Sequence, residues 1–191
     1  MAISTFLILG VLLLIAGFGV VIYNNLVALK HRVAKAWSNI DILLKQRHDE
    51  LPKLVETCKQ YMTYEQETLE RIIQARSSVA SARESQDIDA LGKAEASLRA
   101  GLGQLFALAE NYPELKANDS FQHLQARISE LENGIADRRE LYNDAVNLNN
   151  IRIEQFPDLL VARAFSFKPF TLLEFSEEEL QDHSIKTLFN R

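Results

Sequence analysis

The sequence predicts an all-α protein: an N-terminal transmembrane helix followed by an elongated antiparallel helical bundle of three to four helices. Three observations predict it. No charged side chain precedes Lys30, and most of that stretch is one apolar run. Beyond the run, apolar residues recur at intervals of three and four, and no stretch alternates with the period of two that a half-buried strand needs. Glycine and proline are scarce, at 7 and 4 in 191 residues, and they fall at the joints of the helical periods.

The apolar run covers residues 3–23, with Ile3, Leu7, Leu13, Val21 and Tyr23 as anchor positions along it. As a helix of roughly 21 residues it rises ~30 Å, the thickness of a bilayer's hydrocarbon core. A cleaved secretory signal wants a basic start and a small-x-small cleavage site. Here Met1, Ala2, Ile3, Ser4 and Thr5 lead in and bulky Val20, Val21, Ile22 and Tyr23 close the run, so a retained anchor is expected. Residues 7–15 are apolar on every face, as lipid requires and an amphipathic core helix does not. Lys30, Arg32, Lys35, Lys45 and Arg47 follow the span against Asp41 and Asp49. The positive-inside rule therefore puts the helical part in the cytoplasm. The lone Cys58 has no partner for an intramolecular disulfide and agrees with a reducing compartment.

Three segments are expected: an anchor at 1–23, a helical bundle at 24–163, and a Phe-rich tail at 164–191 carrying a short acidic helix. The first stripe runs Leu26, Leu29, Val33, Ala36, Ile40 and Leu43, widened by Trp37 and Leu44, so the anchor continues into a helical stem past the polar exit residues Asn24 and Asn25. Pro52 removes an intrahelical donor. The stripe resumes in phase at Leu54, Cys58, Tyr61, Met62, Leu69, Ile72, Ile73 and Val79, leaving open a kinked long helix or a tight turn; the absence of nearby glycine favours the kink. Residues 81–87 read as a turn, with Asp87 or Asp89 capping a helix from Ala90 to about Asn111. Gly101 and Gly103 cost that helix propensity but allow close approach of a neighbour. Tyr112-Pro113 ends it. Asn118, Asp119 and Ser120 offer caps for the longest pattern, in which Phe121, Leu124, Ile128, Leu131, Ile135, Tyr142 and Ala145 keep heptad spacing, with Arg138 and Asn149 on the same seam, until Phe156-Pro157. Long helices joined by short connections make an antiparallel bundle.

The net charge of −5, with basic residues interspersed among Asp and Glu, excludes a nucleic-acid-binding stripe. No arrangement of nucleophile, base and acid stands out, so neither an enzyme nor a cofactor nor a metal centre is expected. The densest chemical group is Arg47, His48, Asp49 and Glu50, but consecutive helical residues diverge and no second histidine lies nearby. It reads as a capping and ion-pairing cluster around Pro52; the rival readings are a metal or hydrolytic centre at His48, Asp49 and Glu50, or a relay through a Pro52 kink.

The residues resemble the LemA family of bacterial membrane-anchored helical proteins over nearly the whole chain. The resemblance is carried by Tyr23-Asn24-Asn25-Leu26-Val27, by the block Ile40-Asp41-Ile42-Leu43-Leu44-Lys45-Gln46-Arg47-His48-Asp49-Glu50-Leu51-Pro52-Lys53-Leu54-Val55, and by Ala75-Arg76. Glu110-Asn111-Tyr112-Pro113-Glu114-Leu115, Arg139-Glu140-Leu141-Tyr142-Asn143 and Val146-Asn147-Leu148-Asn149 before Phe156-Pro157 continue it. The family usually has Pro-Asn-Leu where this chain has Pro52-Lys53-Leu54, and Tyr-Asn where it has Leu148-Asn149. The resemblance implies a helical bundle on a single-pass anchor in the bacterial inner membrane, and no agreed reaction.

The candidate interaction residues fall in two groups. Tyr142, Asn143, Asn147, Asn149 and Asn150 put several mediocre helix formers into the longest helix, either as a partner-binding face or as buried polar residues that fix register. Phe165, Phe167, Phe170 and Phe175 crowd a stretch without helical period, to pack back on the bundle or clamp a neighbour. Together with the stem stripe they point to a non-enzymatic scaffold. Its expected partners are membrane lipid at the N-terminal helix, a second copy of the chain, other membrane proteins, and no nucleic acid.

Overall fold

A computed structural model describes residues 2–174, and the described residues contain helices and connections without strands. The helices are α1 (Ala2–Lys59), α2 (Gln66–Ser85), α3 (Ile88–Ala109), α4 (Pro113–Lys116), α5 (Asp119–Glu154) and α6 (Asp158–Ala164). Phe175 and the expected acidic helix at residues 177–179 lie outside the described residues. The described residues divide into two compact units: one made by residues 2–38 with Glu140–Leu172, the other by Asn39–Arg139 with Leu173 and Glu174.

The first unit begins with a helix long and apolar enough to cross a membrane. From Ile3 to Val21 its large apolar side chains stand uncovered, whereas Ile22 and Leu26 are buried. Packing therefore starts where the apolar run ends. Ile22 and Leu26 of α1 meet Ile153 of α5 and Ala162 of α6, with Leu29, Val161 and Phe167 around them. Burial of each large side chain is worth about 1.5–3 kcal/mol. Higher on α1, the Trp37 ring lies 5.9 Å from that of Tyr142 on α5.

The second unit is an antiparallel four-helix arrangement. The C-terminal part of α1 runs against α2, with His48 beside Arg76 and Asp41 3.6 Å from Arg83. It runs against α5 as well, since Gln46 meets Arg127 near one end and Tyr61 meets Asn118 at the other. α2 in turn opposes α3, where Arg71 reaches Gln104. Leu44, Leu54, Ile72, Leu98, Leu105 and Ile128 are among the fully buried core residues.

Two of the expected caps form. Asp87 accepts from the Ala90 N–H at 2.9 Å and starts α3, and Asn118 accepts from the Phe121 N–H at 3.0 Å and starts α5. Pro113 opens the short α4, where its missing N–H is harmless. Of the alternatives at Pro52, the structure has one helix, because α1 continues through it to Lys59.

The chain reverses instead at residues 60–65, which the apolar pattern read as continuous. Met62 is buried inside that turn, so the stripe keeps its phase across it. The turn closes with Tyr61 and Met62 N–H groups on the Cys58 carbonyl, while Tyr112 donates to Glu65 at 3.1 Å. The expected turn at 81–87 is shorter than its composition suggested. α2 runs to Ser85 because Ala82 is buried and Arg83 pairs with Asp41, and the reversal is made by Gln86 at φ 54°.

The α5 seam also shifts by one residue. Arg138 is exposed and Arg139 takes the buried position. The seam is otherwise kept, since Tyr142, Ala145 and Asn149 are buried where the heptad expects them.

Gly101 and Gly103 of α3 differ in their surroundings. A Cβ on Gly101 would sit 3.2 Å from Cγ1 of Ile72, so this glycine permits the close approach of α2 and α3. Gly103 faces open space. Gly103→Ala should therefore stabilise the protein by about 0.5–1 kcal/mol. Gly101→Ala should gain less or lose, because Ile72 must move; thermal unfolding of the two variants side by side checks this.

Candidate functional site

One turn of α1 organises the polar interior of the second unit. Arg47 is buried, and its guanidinium forms ion pairs with Glu95 on α3 and Glu132 on α5. Glu132 also accepts from Arg99 at 2.9 Å. Burial alone would pull the Arg47 pKa down, but the two carboxylates, by charge and by hydrogen bond, hold it above its ordinary value. Three helices are thereby tied at one cation.

The next residue ties the fourth helix. Pro52 has no N–H, which leaves the carbonyl of His48 without its helical donor. Arg76 on α2 supplies one: its Nε donates to the His48 carbonyl oxygen at 3.0 Å. The same guanidinium donates through Nη2 to His48 Nε2 at 2.6 Å. That contact requires a neutral ring with its proton on Nδ1. Partial burial and the Arg76 charge lower the His48 pKa from its usual range.

These contacts disperse the acid–base cluster. His48 faces Arg76, Asp49 is exposed, and Glu50 pairs with Lys53 at 3.0 Å. No group of three His, Cys, Asp or Glu side chains among the described residues comes together to hold a metal ion. Cys58 is buried, and burial pushes its thiol up to about 12, so it stays protonated.

The candidate residues of the first unit hold the segment after α6. Tyr142 is buried and its hydroxyl donates to the Thr171 carbonyl at 3.0 Å. Asn150 brackets Phe170, accepting from its N–H at 3.0 Å and donating to its carbonyl at 2.9 Å. Asn149 is buried and donates to Asn150. Asn143 is partly buried and Asn147 is exposed. Phe167 packs on the Ile22–Leu26 cluster, while Phe165 is 61% exposed and its ring lies 4.7 Å from that of Tyr23. A cavity of about 510 Å³ opens between this segment and α1.

A surface that the sequence reading passed over lies on the outside of α5. Leu141, Leu148 and Ile151 are exposed at spacings of seven and three. They share one outer face of α5 with the exposed Asp144 among them, beside the buried positions Tyr142, Ala145 and Asn149. The seven-residue interval between Leu141 and Leu148 carries this signal in the sequence.

Comparison with known proteins gives a consistent result. The model of the family described as LemA family matches residues 36–189. A protein LemA of Metamycoplasma hominis is 28% identical over 172 residues, covering 87% of this chain and 75% of that protein. Magnetosome protein MamQ 2 of Paramagnetospirillum magneticum is 39% identical over 67 residues, and magnetosome protein MamQ of Magnetospirillum gryphiswaldense 31% over 67 residues. Each of these alignments covers 35% of this chain, which spans about 25% of the length of either magnetosome relative.

The His48 contact makes stability pH-dependent. A lowered folded pKa means that the unfolded chain takes the proton first, so the His48 contribution is complete above the ordinary histidine value of about 6.5 and is lost as pH falls through it toward the lower folded value. His48→Gln retains an acceptor for Arg76 and should flatten the stability difference between about pH 7.5 and 5.5, as measured by unfolding at both.

Proposed function

This chain belongs to the LemA family, and on that premise we propose that it is a single-pass protein of the bacterial inner membrane whose helical part works by contact and not by catalysis. Residues 3–23 anchor it, and the basic residues after the span put the helical part on the cytoplasmic side. The helical part associates with a second copy or with other membrane proteins, as a scaffold.

The observation that carries this reading is the uncovered apolar stripe Leu141, Leu148 and Ile151 on α5. Exposed apolar residues scattered singly need no explanation, but Leu141, Leu148 and Ile151 share one helix face at spacings of seven and three, with one carboxylate, Asp144, among them, and such a face suits another helix carrying a basic residue. Anchoring adds to this, because confinement to a bilayer raises effective concentration and lets a modest surface suffice. The rival metal or hydrolytic reading lacks a comparable observation, since His48, Asp49 and Glu50 are turned to different neighbours.

The stripe is open to direct test. Leu141→Glu, Leu148→Glu and Ile151→Glu together should leave helix content intact, because all three side chains are exposed, and should weaken association by about tenfold or more. Crosslinking of the full chain in native membranes, followed by mass spectrometry of the captured species, reads this. A wild-type chain that stays monomeric and captures no protein would contradict the proposal, as would a triple variant that associates like the wild type.

A further inference from the structure

The cavity between α1 and the segment after α6 is walled on one side by Tyr23, Val27, Lys30 and His31, on the other by residues 165–170, with Asn149 at its base. Its charged lining is wholly basic: Lys30 and Lys168, with His31 beside them, and no carboxylate. That is conspicuous in a chain of net charge −5. The lining is also divided by polarity. The aromatic rings of Tyr23, Phe165 and Phe167 cluster together, with centroids of 4.7 and 5.9 Å from Tyr23. The two lysines and Ser166 supply the polar part.

Position gives this division its meaning. Tyr23 ends the apolar run, and in the anchored reading, on which this inference rests, it sits where tyrosines gather at the boundary of lipid and water. Phe165 packs against Tyr23 with its ring tilted by 57° and therefore shares that level. Phe156 and Leu160, in the same unit, are 77% and 61% exposed. A free surface of such residues is costly in water and favourable at the acyl boundary. The volume of about 510 Å³ lies within the range of small-molecule sites and is open to ligands.

We infer that this cavity binds the phosphate-bearing headgroup of an anionic phospholipid from the leaflet beside it. Lys30 and Lys168 contact the phosphate, and the Tyr23, Phe165 and Phe167 rings line the start of the acyl chains. A diffuse attraction of basic residues to a charged surface would need no cavity. Here Lys30 and Lys168 stand at the rim of one half-open cavity whose other lining is aromatic.

The test uses the full chain in nanodiscs of phosphatidylcholine and phosphatidylglycerol in equal parts, with native mass spectrometry of the lipid retained on release. The wild type should keep phosphatidylglycerol in preference. Lys30→Gln with Lys168→Gln should lower that retention by about fivefold for each charge removed, with unchanged melting, since both side chains are exposed. Equal retention of the two lipids by the wild type, or unchanged preference in the double variant, would overturn the inference. So would full displacement of the lipid by millimolar inorganic phosphate, which marks a free-anion site, or a second copy of the chain filling the cavity, seen as a dimer that excludes lipid. A chain that fails to enter the nanodisc overturns the anchored reading itself; one that enters without lipid preference overturns only this inference.

Discussion

The buried guanidinium of Arg47 is the constraint on which the second unit depends. A cation taken out of water costs several kcal/mol, and only well-placed carboxylates offset it. Glu95 from α3 and Glu132 from α5 supply them, with Arg99 steadying Glu132. The apolar residues around them drive burial by a non-directional effect. The ion pairs are specific, because moving α3 or α5 by one residue would strand a charge in the core. These three charged side chains therefore add a register constraint to the one the buried apolar stripes impose.

A proline one turn further on extends the same logic to α2. Pro52 frees the His48 carbonyl, and the donor that replaces the lost N–H comes from Arg76 in another helix. A defect in one helix is thus converted into a contact between two. His48 adds a second acceptor for the same guanidinium, which makes that contact sensitive to protonation. The His-Asp-Glu sequence that suggests chemistry is accounted for by architecture: the ring is an acceptor, Asp49 is solvated, and Glu50 pairs along its own helix.

Much of this was legible in the sequence wherever the determinant is local. The apolar run, the caps at Asp87 and Asn118, and the long stripe of α5 each depend on residues within a few positions of one another. What escaped depends on distant partners. Arg47 meets Glu95 and Glu132 at separations of 48 and 85 residues, and no periodicity announces them. The reversal at 60–65 was hidden because Met62 is buried in the turn itself, and without glycine or proline nothing marked a break. The exchange of Arg138 for Arg139 is confined to one position of the seam, since Tyr142, Ala145 and Asn149 are buried as the heptad expects. In the first unit, Tyr142 and Asn150 were singled out for their chemistry, and their groups hold the backbone of Phe170 and Thr171. The outward stripe of Leu141, Leu148 and Ile151 needed knowledge of which face was already covered.

Inward chemistry builds the two units. The central claim is that Arg47 and Glu95 act as a coupled pair that sets the second unit. A double-mutant cycle with Arg47→Met and Glu95→Leu, followed by urea unfolding of the full chain in a mild detergent, tests it most directly. Arg47→Met should cost about 3–5 kcal/mol by stranding the buried Glu95, Glu95→Leu should cost about 1–3 kcal/mol because Glu132 still pairs with Arg47, and the double variant should lose much less than their sum. Single costs below about 1 kcal/mol, or additivity within about 0.5 kcal/mol, would contradict it.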